Sequence, residues 1–135
     1  MLVWEEKYCI GNKLIDAQHK YIFEIGNKAY SLLENKSNVD TNTELIDIFK
    51  SLNQYTKFHF KSEEDYMLSI EYPKFFAQKR EHDNFIKKLD EFECNLLNET
   101  SEKSIEDLLS FIFKWILNHI IQKDKLILLE QPINL

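Results

Sequence analysis

Residues at three- and four-position spacing form long stripes in this chain, the pattern that lines one face of an α-helix. Ile22, Phe23, Gly26, Tyr30 and Leu33 make a first stripe, ended by the polar run Asn35 to Asn42. A second collects Leu45, Ile48, Phe49, Leu52, Tyr55, His59, Glu63 and Tyr66. Thr41 and Glu44 stand before it at the spacing of a capping box. The third is the most regular: Phe75, His82, Leu89 and Leu96 repeat every seven residues, with Gln78, Phe85 and Phe92 interleaved. Pro73 suits the first turn of that helix, where the amide hydrogen it lacks would have no partner. After the polar stretch Asn98 to Lys103, Ser104 and Asp107 can cap a fourth segment. Its seam is Ile105, Leu108, Leu109, Ile112, Trp115, Ile116, His119 and Ile120.

The pattern predicts one domain over 1–135, with an extended arm at about 1–17 and helices at about 18–34, 43–70, 73–98 and 104–123. Four amphipathic helices joined by short loops place sequence neighbours antiparallel. The expected fold is all-α, an up-down-up-down four-helix bundle. Composition agrees, because 2 glycines and 2 prolines are too few for the turns of a β-rich domain. The 10 Phe, 6 Tyr and 2 Trp supply a filled core.

Charge narrows the partners. With 17 basic and 23 acidic residues the net charge is −6, and no basic cluster offers a footprint for nucleic acid or anionic lipid. The most apolar stretch, Phe111 to Ile121, is short and carries Lys114, Asn118 and His119, so no spanning helix is expected. Glu5, Glu6 and Lys7 interrupt the N-terminus before any signal-like apolar run. Cys9 and Cys94 lack metal-type spacing and read as reduced thiols, Cys94 off the seam. These features together predict a soluble, cytoplasmic protein.

The chemistry lies in the histidines. The chain has 4, and each predicted helix carries one on or beside its seam: His19, His59, His82 and His119. If a seam takes two positions in seven, chance puts all of them there on the order of one time in a hundred or less. Connectivity adds a second test. In an up-down-up-down bundle, the starts of the first and third helices share one end with the finishes of the second and fourth. His19 and His82 are early in their helices, while His59 and His119 are late. Glu63, one turn after His59, belongs to the same end, and a carboxylate on an apolar seam needs a partner or a metal. Asp124 stands where the last predicted helix ends and can turn back toward the same centre. Imidazoles with two carboxylates between four helices fit a carboxylate-bridged pair of irons.

At these residues the chain resembles the bacterial hemerythrins along nearly its whole length. Trp4, Gly11 and Ile15-Asp16-Ala17-Gln18-His19 are similar to that family's opening motif. His59-Phe60-Lys61-Ser62-Glu63-Glu64, with Met67 and Tyr72-Pro73, resembles its second block, and His82 with Phe85 its third. Trp115-Ile116-Leu117-Asn118-His119-Ile120 and Asp124 resemble the fourth.

The resemblance implies a non-haem di-iron centre, with no haem, bridged by an oxo or hydroxo group and by Glu63 and Asp124. It implies that the iron held by His19 and His59 keeps the open position where dioxygen binds. Ile22, Phe60, Trp115 and Leu117, one turn from or beside ligands, are the candidate walls of the oxygen pocket. One ligand departs from the pattern: the family's histidine four residues before His82 is here Gln78. Its amide oxygen is a weaker donor than imidazole. The sequence leaves open ligation, a hydrogen bond to a water ligand, or a side chain turned away.

Reversible dioxygen binding, for storage, delivery or sensing, is the expected function, without catalysis and without a fused output domain. Two alternatives stand beside it. One is an oxidant-consuming, peroxidase-like di-iron enzyme; the other is an iron-binding module with one site weakened or empty.

Overall fold

A computed structural model describes residues 3–34, 41–96 and 102–129 of the protein. Four long helices dominate it: α1 (Lys13–Glu34), α2 (Thr41–Ser69), α3 (Phe75–Leu96) and α4 (Glu102–His119). After α4 the chain passes through a π-helical turn at Ile120–Asp124 into a short α5 (Lys125–Leu129). α2 packs against both α1 and α3, and α1 closes onto α4, giving the up-down-up-down bundle. The central core joins Ile22 and Phe23 to Phe49, Leu52, Phe85, Leu89, Leu109, Ile112 and Phe113. Gly26 lets α4 approach, since a side-chain carbon there would lie inside the Phe113 ring.

The element ends differ instructively from expectation. α1 begins at Lys13, about a turn and a half before the expected start, because Asn12 Oδ1 accepts a 3.1 Å bond from the Ile15 amide. Ile15 and Gln18 are buried, so the first stripe already starts there. The arm is not wholly extended: Glu6–Tyr8 form a 3₁₀ turn, and Asp16 Oδ1 accepts from the Ile10 amide at 2.7 Å. Trp4 packs edge-on against Tyr8 and Phe23, with centroids 5.6 Å and 5.3 Å away.

Pro73 lies in the turn before α3, not in its first turn. α2 ends in a Schellman motif: Tyr72 N–H donates to Met67 O at 2.8 Å and Glu71 N–H to Leu68 O at 3.1 Å. Glu71 takes the left-handed position at φ 53°. Tyr72 closes back on Met67 in a small apolar cluster with Ile127. Pro73 therefore follows a helix stop, where it is common.

α2 and α4 each start about two residues earlier than the pattern suggests. The capping side chains of Thr41 and Ser104, and the seam side chains of Leu33, Leu96 and Ile105, lie outside the described residues. Asp107 and Cys94 are exposed. The last helix does not stop before Asp124 but runs on through the π turn. No described helix is long and apolar enough to cross a membrane.

Candidate metal centre

Each helix delivers its share from the same end of the bundle. α1 brings His19, α2 brings His59 and Glu63, α3 brings His82, and α4 with its π turn brings His119 and Asp124. On α2 the four-residue step is one helical turn, so His59 and Glu63 share a face. Five residues separate His119 from Asp124, and in a regular α-helix that step leaves side chains about 140° apart. The wider π turn absorbs the extra residue and sets His119 Nε2 3.1 Å from Asp124 Oδ1.

The six side chains form two overlapping groups. One is His19, His59, Glu63 and Asp124; the other is Glu63, His82, His119 and Asp124, each with its donor atoms within 4.8 Å of one another. Both carboxylates divide their oxygens between the groups. Glu63 Oε2 faces His19 (3.4 Å) and His59 (3.3 Å), while Oε1 faces His82 (3.0 Å) and His119 (3.9 Å). Asp124 Oδ2 faces His19 at 3.2 Å and Oδ1 faces His119. A carboxylate splayed this way suits bridging two cations.

The site also passes a test of need. Both oxygens of Glu63 and Asp124, both ring nitrogens of His19 and both amide atoms of Gln78 are buried without a hydrogen-bond partner. An unmet buried polar group costs about 1–3 kcal/mol. Atoms that approach closely yet miss hydrogen-bond alignment are arranged for something held among them, and the donor set fits cations.

Electrostatics agree. Burial opposes a charge on His19, but the facing Asp124 and Glu63 carboxylates outweigh it and lift its pKa to about 9. His119 follows the same balance, with Asp124 the larger influence, and rises to about 10. His82 is raised despite burial, through Glu63 and Glu64. His59 is lowered, by burial first and then by its neighbour His19. Burial alone would raise Glu63, yet the imidazoles around it hold its carboxyl well below the usual range.

A supporting layer orients three of the rings. His59 Nδ1 donates to Gln18 Oε1 at 2.7 Å, His82 Nδ1 to Glu64 Oε2 at 2.9 Å, and His119 Nδ1 to Glu81 Oε2 at 3.1 Å. With Nδ1 carrying the proton, the neutral ring presents its Nε2 lone pair inward. Sequence reasoning missed these three residues. Each adjoins a site residue in the chain, Gln18 before His19, Glu64 after Glu63 and Glu81 before His82, yet bonds a histidine on the next helix. Lys79 and Lys123 hold the outer oxygens of Glu64 and Glu81 at 3.7 Å and 3.5 Å.

The apolar candidates divide. Phe60 stacks flat on His82, with centroids 3.8 Å apart and planes 2° off parallel, and reaches His59 at 5.8 Å. Trp115 stacks on His119 at 4.6 Å and on Phe85 at 3.9 Å. Both rings thus lie chiefly against the His82 and His119 half, whereas the sequence suggested the His19 and His59 half. Ile22 is buried in the central core, and Leu117 packs against that core half-buried.

Comparison with known proteins meets this geometry directly. The Hemerythrin HHE cation binding domain family matches residues 10–128. The chain belongs to the hemerythrin family. It is 42% identical to a bacteriohemerythrin of Clostridium acetobutylicum over 93% of this chain and 97% of that protein. A bacteriohemerythrin of Stenotrophomonas maltophilia is 31% identical over 89% of this chain and 74% of its own length. A crystal structure of wild-type hemerythrin superposes with a TM-score of 0.77 at 28% identity, covering 93% of this chain and 94% of that one. Membership explains why four helices converge on one polar cluster: this is a cation-binding hemerythrin fold.

Proposed function

We propose that this hemerythrin is a non-haem di-iron protein that binds dioxygen reversibly. The observation that carries the reading is the pair of four-residue groups sharing Glu63 and Asp124, each carboxylate giving one oxygen to either side. His19 and His59 would hold one iron, His82 and His119 the other, with Glu63 and Asp124 spanning both beside an oxo or hydroxo bridge. Imidazole and carboxylate together suit iron. When bound and reduced, such a pair supplies the electrons and the open position that let dioxygen bind and leave.

The chain's own residues do the rest. Gln18, Glu64 and Glu81 hold the Nδ1 protons of His59, His82 and His119, so the nitrogen each ring would turn to a cation is the inward Nε2. The Phe60 and Trp115 rings cover His82 and His119 and exclude water from that half. Ile22 and Leu117 extend the apolar wall. The reading is tested by loading the protein with ferrous iron under anaerobic conditions, then counting metal and recording visible spectra. Two irons per chain and a colour change in air that reverses under vacuum are expected. One iron or fewer, or irreversible oxidation without a reversible phase, would overturn it.

A further inference from the structure

Gln78 is 3% exposed, and neither its amide oxygen nor its amide nitrogen has a hydrogen-bond partner. It sits on α3 one turn before His82, on the same helix face. On the far side of Gln78 lies an apolar plug. Met67 follows Glu63 by one turn of α2, Ile127 follows Asp124 by three residues, and Phe75 precedes Gln78 by three. Met67, Tyr72 and Ile127 are buried together there, with Phe75 packed against them. Only tyrosine hydroxyls could serve the amide from that plug, and Gln78 makes no hydrogen bond to them. On its other side, one turn along α3, stands His82, which belongs to the group Glu63, His82, His119 and Asp124.

We propose that the amide oxygen of Gln78 is a direct protein donor to the cation held by Glu63, His82, His119 and Asp124. The inference rests on the two-cation reading above and deepens it. The amide is neutral and offers an oxygen lone pair, so it adds a donor without changing the charge of the site. Oxygen donors favour harder divalent ions than imidazole does, which makes the two halves chemically unequal. The ions therefore load in two distinguishable steps, the Gln78 half first because it has one donor more.

The test is a calorimetric titration of the metal-free protein with cobalt(II), whose visible spectrum also reports coordination, with melting temperature measured at each stage. The parent chain should take two ions in two steps. Gln78→Leu should weaken the first step by about tenfold or more and leave the second alone. Gln78→His should keep the first step or tighten it. The metal-free Gln78→Leu protein should melt higher than the parent, because it removes an unmet buried amide, while gaining less from cobalt. A purely structural glutamine predicts the opposite pair, a lower melting temperature and unchanged binding, and that result overturns the proposal. Fewer than two ions on the parent chain defeats the two-cation reading itself, and this donor with it, before any variant is made.

Discussion

Protons and cations compete for the same six side chains, and the competition can be counted. With no cation bound, His19 and His119 have pKa values lifted to about 9 and about 10, burial opposing the charge and the Asp124 and Glu63 carboxylates more than restoring it. At pH 7 a group with a pKa of about 9 is roughly 99% protonated, so both rings carry protons at neutrality. Each must give up that proton before Nε2 can ligate. His59, lowered by burial, adds none. Loading the centre at pH 7 should therefore release about two protons per chain, and the apparent association constant for the ion pair should rise about 100-fold per pH unit. His82, also raised, can only steepen this.

Calorimetry in buffers of different ionisation enthalpy gives the proton count, and repeating it at pH 7 and 8 gives the slope. Release of less than one proton, or equal affinity at the two pH values, would refute the argument. The sign for the metal-free fold is the reverse. Folded pKa values above the ordinary 6.5 contribute stability that is complete below about pH 6.5 and lost as pH rises through about 9 and 10. Alkaline solution thus loosens the empty bundle while favouring the loaded one.

Other predictions concern single side chains. Glu64→Gln and Glu81→Gln remove the charged partners of His82 and His119, and each should weaken metal retention by about 10–100-fold in a chelator competition; unchanged release would make them surface residues only. Gly26→Ala should destabilise the metal-free protein by about 1–3 kcal/mol in urea unfolding. The overlap with the Phe113 ring outweighs the gain of about 1 kcal/mol in helix propensity. Glu71→Gly should stabilise by about 1 kcal/mol, since glycine accepts φ 53° without strain; an unchanged or lower midpoint would count against the strain.

The sequence by itself determined the bundle and the four histidines and Glu63 that meet at one end of it. A seven-residue period on α3 and seam-borne His19, His59, His82 and His119 are one-dimensional facts, because helical geometry converts spacing into a face. Connectivity then places those faces at one end. Tertiary structure decided what depends on rotation and on contacts between helices. Asp124 looked like a residue beyond the last helix, since a five-residue step has no meaning in an α-helix; only the π turn at Ile120–Asp124 aims it at His119. Pro73 looked like a helix start, but the left-handed Glu71 had already closed α2. Gln18, Glu64 and Glu81 read as ordinary polar neighbours because each serves a histidine on another helix. Phe60 and Trp115 were recognisable as apolar walls. Which imidazole each one covers was set by packing between helices, an interaction whose register the periodicity of any single helix does not contain.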